Sequence, residues 1–182
     1  MHQHLLHDIG KPSTFSVSDR IRFNGHVEAG LDIARPLLAR LRFPNDSAEQ
    51  ILALIANHMR FGDIHRMKES TLKRFLRLPR FDEHLALHRA DCLGSHGHLD
   101  NYQFARRRLD ETPPEALRPP RLITGEGLIA LGYPRGPLFR EILTAVETAQ
   151  LEGELSTPGE AEAFVRARWT LPSHQKHEGG EA

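Results

Sequence analysis

The 182-residue chain has a single cysteine, Cys92, so no internal disulfide can staple it, and a lone thiol suits a reducing compartment. Lysine is scarce too. Only Lys11, Lys68, Lys73 and Lys176 stand among the 24 basic residues, leaving 20 arginines. Guanidinium groups suit bidentate phosphate contact, although a high-GC genome supplies arginine for no chemical reason. There is no excess charge: 24 acidic residues balance the basic ones, so no global field draws the chain to nucleic acid. No apolar run approaches the roughly 20 residues of a membrane helix, and His2-Gln3-His4 begins no secretory pattern. Alternation long enough for a sheet is missing as well. These absences predict a cytoplasmic chain with no membrane partner, and one domain or one domain with a small appendage.

What is present is helical periodicity. Residues 1–8 read as the last turns of a helix and 10–23 as a loop. Asn24 is the expected N-cap of a helix reaching Leu41, with Ala29, Ile33, Leu37 and Leu41 as its buried face and a kink at Pro36. Asp46-Ser47-Ala48-Glu49 has the form of a capping box. The helix after it carries Ile51, Leu54, Ile55 and His58 at i, i+3, i+4 and i+7, which turns His58 inward. Further helices are expected near Ser70–Leu78, Phe81–Leu93 and Leu99–Glu111, with a break at 94–98. A proline-rich stretch from Thr112 to Pro120 marks a boundary. Beyond it, helices are expected at Gly125–Leu131, Pro137–Glu152 and Pro158–Arg168, the last two opening on proline and the last on a second capping box, Thr157–Glu160. The domains predicted are therefore 1–112 and 118–170, with a disordered tail at 171–182, and the fold class is all-α.

Chemistry is concentrated in imidazole and carboxylate groups. His7 and Asp8 are adjacent; His26 follows Asp8 by 18 residues, His58 follows by 32 more, and Asp91 by 33 more. Each gap is about one helix and its connection, so neighbouring helices can aim all these side chains at one cavity. The expected ligands are His7, Asp8, His26, His58 and Asp91. Asp8 would bridge two ions, with His7 and Asp91 on one and His26 and His58 on the other. Mixed nitrogen and oxygen donors suit Mn, Fe, Ni, Co, Zn or Mg without choosing among them. Two such ions about 3.5–4 Å apart activate water and polarise a phosphoryl oxygen. Asp8 and Asp91 are thus the expected catalytic carboxylates, and Lys11 is placed to reach a substrate phosphate. His88, three residues before Asp91, either orients Asp91 or packs.

A second reading rests on Arg60, Arg66, Lys68, Lys73, Arg74, Arg77 and Arg80, which lie within 21 residues against only Asp63 and Glu69, and on Arg106-Arg107-Arg108. Of these, Arg66, Lys73, Arg74, Arg77, Arg106 and Arg107 are the expected contacts to an RNA backbone.

In the strings LLHDIGKP (Leu5–Pro12), FNGHVEAG (Phe23–Gly30), ANHMRF (Ala56–Phe61) and HRADCL (His88–Leu93), followed by LITGEGLIALG (Leu122–Gly132) and AQLEGEL (Ala149–Leu155), the chain resembles the HD-domain part of the bacterial tRNA nucleotidyltransferase and poly(A) polymerase family. The resemblance runs over about residues 5–168. It implies an HD-type helical bundle with a small C-terminal helical extension. It also implies hydrolysis of 2′,3′-cyclic nucleotides or phosphomonoesters with a divalent metal, and tRNA or other RNA as a partner. The nucleotidyltransferase head and its paired aspartates are not in this sequence, so nucleotide addition is not expected of it alone. HD proteins draw a first histidine from a helix before the His-Asp pair. His2 and His4 are too near His7 to be its equivalent, although His4 offers a local substitute. The chain is therefore expected to be a fragment, a truncated reading frame or a descendant without that ligand. The alternative to an enzyme is an RNA- or partner-binding module with a vestigial metal site.

Overall fold

The computed structural model describes residues 6–171. His2, His4 and the tail from residue 172 lie outside them. The described residues form nine α-helices and one short hairpin, in two compact units. The first runs through Met67 and resumes over Arg74–Pro113; the second takes Lys68–Lys73 and the chain from Pro114. No helix among the described residues is long and apolar enough to cross a membrane.

The first unit opens with turns rather than helix at residues 6–11, closed by the Ile9 N–H on the Leu6 carbonyl and the Lys11 N–H on that of Asp8. The expected loop then contains a 3₁₀ turn, Pro12–Thr14, and strands β1 (Ser16–Val17) and β2 (Ile21–Arg22), paired antiparallel with Ser16 opposite Arg22. Helix α1 is His26–Arg40. Its N-cap is Gly25 and not Asn24: the backbone there is left-handed (φ 78°), a conformation glycine adopts without Cβ strain. The buried face of α1 is His26, Gly30, Ala34 and Leu38, one residue on from the expected set. Ile33 is 37% exposed and Leu41 56% exposed. The period of four was legible, but small Gly30 and Ala34 mark the side where α1 meets its neighbours closely; an added Cβ on Gly30 would lie 3.5 Å from Ile55. The helix continues through exposed Pro36.

Helix α2, Asn45–Asn57, follows Pro44 and has no side-chain cap, so the box expected at Asp46–Glu49 does not form; Asp46 instead faces the Arg80 guanidinium at 3.4 Å. At His58 the chain tightens into a 3₁₀ segment, His58–Arg66, that buries His58, Phe61 and Ile64. That spacing of three is what a three-residue turn places on one side. Helices α3 (Glu69–Leu76), α4 (Phe81–Ser95) and α5 (Asp100–Glu111) follow. Phe61 packs edge-on to Phe75 (4.9 Å between centroids) and lies flat on the His88 ring (4.1 Å, 4° between planes). His88 therefore serves the core by packing.

In the second unit, a short helix α6 (Pro114–Leu117) occupies part of the expected linker, followed by α7 (Gly125–Ala130), α8 (Pro137–Glu152) and α9 (Pro158–Arg168). Thr124 caps α7 through the Gly127 N–H, and Thr157 and Glu160 form the complete capping box of α9. Leu128, Tyr133, Ile142, Val146 and Val165 fill the core, with the Tyr133 hydroxyl donating to the Trp169 carbonyl at 2.6 Å. Lys68–Lys73, placed by the sequence in the first domain, group here for a physical reason. The Ser70 N–H donates to Glu152 (2.9 Å), and the Lys73 ammonium donates to the Leu151 carbonyl in the last turn of α8 (2.8 Å), where the helix dipole favours a cation.

Candidate metal centre

The first unit brings His7, Asp8, His26, His58 and Asp91 together. They come from four pieces of local structure: His7 and Asp8 from the opening turns, His26 from the first residue of α1, His58 from the junction of α2 with the 3₁₀ segment, and Asp91 from the last turns of α4. Their ligand atoms fall into two triads, Asp8–His26–His58 and His7–Asp8–Asp91, each with all atoms within 4.8 Å of one another. Asp8 belongs to both. Its Oδ1 lies 3.9 Å from His26 Nε2 and 3.8 Å from His58 Nε2, while its Oδ2 lies 3.3 Å from His7 Nε2. Asp91 Oδ1 completes the second triad, 3.5 Å from His7 Nε2.

The hydrogen bonds decide the protonation of two of these rings. His26 Nδ1 lies 2.9 Å from the Phe23 carbonyl and His58 Nδ1 lies 2.7 Å from the Ile55 carbonyl. A carbonyl only accepts, so both Nδ1 atoms carry hydrogen and, in the neutral rings, both Nε2 atoms are bare lone pairs. Those two Nε2 atoms face each other at 3.1 Å. Burial, the largest influence, pushes His58 below its usual pKa, and neighbouring His7 and His26 add to this against the opposing pull of its own carbonyl bond and of Asp8. Two acceptors held nose to nose beside a carboxylate call for a cation between them. The donor set fits a divalent metal on that ground, with the carbonyl contacts acting as the orienting outer layer usual for ligating histidines.

Lys11 closes the site from the loop. Its ammonium donates to Asp8 Oδ2 at 2.6 Å and stands 5.7 Å from the centre of the Phe23 ring. Gly10, between Asp8 and Lys11 in the chain, was not singled out in the sequence and proves essential to the geometry. A Cβ there would collide with the His26 carbonyl oxygen and lie 2.6 Å from the Gly30 nitrogen. The turn carrying His7 and Asp8 can nest on the start of α1 only because that atom is missing. The Gly-Lys-Pro triplet after the His-Asp pair was the available signal.

The expected RNA contacts are less free than the sequence implied. Arg66 is paired with Asp63, Arg106 lies 3.2 Å from Asp82 and 3.1 Å from Asp110, and Lys73 is held by Leu151. Arg74 and Arg77 also have partners. Exposed Arg107 lies 5.8 Å from the Phe104 ring. Spacing of i, i+3 or i, i+4 places acids beside three of these six cations, Arg66, Lys73 and Arg106, which a count of basic residues along the sequence does not register.

Residues 4–94 match the family profile described as HD domain. The chain is 34% identical over 181 residues to the A-adding tRNA nucleotidyltransferase of Deinococcus radiodurans, covering 91% of this chain and 40% of that protein. It is 35% identical over 167 residues to the CC-adding tRNA nucleotidyltransferase of Thermus thermophilus, covering 88% and 38% respectively. A Multifunctional CCA protein of Paraburkholderia phymatum is 30% identical over 168 residues. No solved structure matches at the same level of significance. A helical architecture with one short hairpin, a His-Asp cluster and these matches agree: the chain belongs to the HD-domain family. Within it, the chain is an HD module related to tRNA nucleotidyltransferases, and it spans about two fifths of the length of the curated relatives named above.

Proposed function

We propose that the first unit is a metal-dependent phosphohydrolase acting on a nucleotide or phosphate ester, of the 2′,3′-cyclic nucleotide or phosphomonoester class. The observation that carries this reading is the pair of His26 and His58 Nε2 lone pairs 3.1 Å apart against a carboxylate shared with a second His/Asp triad. The ligands assigned are His7, Asp8, His26, His58 and Asp91, holding one or two ions of Mn, Fe, Ni, Co or Mg. A bound divalent cation supplies Lewis-acid polarisation of a phosphoryl oxygen and a water of lowered pKa. The protein's own residues prepare for it. The Phe23 and Ile55 carbonyls fix the tautomers of His26 and His58, and burial favours the neutral, ligating form of His58. Asp8 and Asp91 supply the compensating negative charge. Lys11, already turned toward Asp8, holds the substrate phosphate against the site. The buried thiol of Cys92 agrees with a reducing cytoplasm.

The test is to purify the full chain, measure its metal content, and follow its melting temperature and its hydrolysis of 2′,3′-cyclic AMP and p-nitrophenyl phosphate with each metal. A metal held at 100 times its Kd stabilises the folded state by about 2.7 kcal/mol. Hydrolysis dependent on that metal is the expected result. A chain that retains no ion, melts at the same temperature with every metal and cleaves neither ester sinks the reading.

A second reading is supported by the relatives, whose names declare tRNA as their substrate, and by exposed Arg107. Under it, the unit is a helical module that binds RNA or a protein partner, with a vestigial metal site. Binding of tRNA that weakens steeply with salt, in a chain without hydrolytic activity, distinguishes it.

A further inference from the structure

The hairpin before α1 sets two aromatic rings beside the candidate metal centre. Because Ser16 pairs with Arg22, the next positions outward in that register are Phe15 and Phe23. Their rings lie 5.9 Å apart at 53°, so Phe15 backs Phe23 from one side. Phe23 also lines a groove of about 420 Å³, with Lys11, Asn24, His26 and Met59 among its walls. That is within the range of small-molecule sites, roughly 300–1,000 Å³. Phe15 and Met59 are each 55% exposed, which the core does not require of large apolar side chains.

Two residues belong to both the groove and the metal centre. His26 is a member of one triad, and the Lys11 ammonium stands 2.6 Å from Asp8 Oδ2 and 5.7 Å from the Phe23 ring centre. A ligand whose phosphate sits at Lys11 and the Asp8 carboxylate's cation therefore has an aromatic face within reach of its other end. Asn24 adds an exposed carboxamide, a donor and an acceptor side by side, the pairing that reads base edges.

We infer that this groove is the subsite for the nucleobase of a nucleotide substrate, with the Phe23 ring as its stacking platform, backed by Phe15 and walled by Met59. This rests on the phosphohydrolase reading, which by itself asks only for a phosphate ester. Phe23 thereby becomes a specificity residue that distinguishes nucleotides from phosphate esters without a base. Its carbonyl, which holds His26, survives side-chain substitution.

The experiment is calorimetric titration of the Mn²⁺-loaded full chain with adenosine 3′-monophosphate and, separately, inorganic phosphate. The quantity read is the ratio of the two affinities. Stacking of one base on an aromatic side chain predicts a ratio of about 10 or more in the native chain. Phe23→Leu keeps the apolar bulk and removes the flat face, so the ratio falls toward one; Phe23→Tyr keeps it high. Met59→Ala, at an exposed position that does not threaten folding, lowers it less. Equal affinities in the native chain, or a ratio unchanged in Phe23→Leu, overturn the subsite. The accompanying Mn²⁺ titration reports on the parent reading separately: failure to bind the metal, with a nucleotide preference that still depends on Phe23, removes the hydrolase and leaves the subsite standing.

Discussion

The two units bury different kinds of side chain. In the second, the described core is apolar apart from two buried hydroxyl groups, those of Ser70 and of Tyr133, which brings its polar end to a carbonyl. In the first, His26, Gln50, His58, His84 and His88 are all buried, and every histidine among the described residues lies in this unit. Burying a polar group costs free energy unless it is matched, so a unit that collects so many is organised around something other than stability. The difference teaches where candidate chemistry sits: the first unit gathers buried imidazoles beside carboxylates, and the second is packed almost wholly from apolar side chains.

Asp8→Ala strikes the comparison hardest, because Asp8 alone is common to both triads. Its loss is expected to lower Mn²⁺ affinity by at least about 100-fold, the upper cost of losing even an orienting partner. Calorimetric titration measures this, and the emission of Trp169, the sole tryptophan and a member of the second unit, should be unchanged. Retained affinity would mean that the cluster is not a metal centre.

Acid should separate the units next. His84 is 1% exposed and neither ring nitrogen has a partner among the described residues. Burial, the largest cause, takes its pKa from 6.5 to about 4, with Glu83 opposing and Arg60 adding to the fall. The unfolded chain therefore binds the proton more tightly. Stability is full above pH 6.5, declines as pH falls, and levels off below about 4, a loss on the order of 3 kcal/mol. Burial lowers His58 and His88 in the same direction. Helical circular dichroism should report loss of the first unit while Trp169 emission still reports a folded second unit. In His84→Phe the acid transition should shift to lower pH; an unmoved transition contradicts the assignment.

Gly10→Ala tests how the two sides of the metal centre meet. The added Cβ must push the turn off α1, with an expected cost of about 1–3 kcal/mol in urea unfolding and weaker metal binding besides. The smallest effect belongs to the second unit. Thr157→Ala removes half of an exposed capping box and should cost about 1 kcal/mol, read by Trp169 emission, with Mn²⁺ affinity unaltered. A change in that affinity would blur the division between the units.

Much of the second unit was legible because its signals are local. Pro137, Pro158 and the Thr157–Glu160 box act within one turn of the residues that carry them, and the helices begin where they indicate. In the first unit, local signals misled wherever a distant group intervened. Asp46 had the form of a cap but faces Arg80, and α1 turned its small residues inward where a period of four pointed to its large ones. For His88 the sequence left two roles open, orienting Asp91 or packing, and the ring lies flat on Phe61. In the second unit, Lys73 was expected at an RNA backbone and serves the end of α8.

By itself the sequence determined the helical class, the order of His, Asp, His, His and Asp along the chain, and which five residues were the candidates to meet, because residue type and helical period are properties of single segments. Only the tertiary structure decided that two imidazoles point their lone pairs at each other, that Lys11 turns to Asp8, and that Phe23 stands beside them. The site as a whole joins residues as many as 84 positions apart, from His7 to Asp91. Their distances follow from how closely the helices approach, which at this site depends on a missing Cβ at Gly10 and on which side of α1 packs inward.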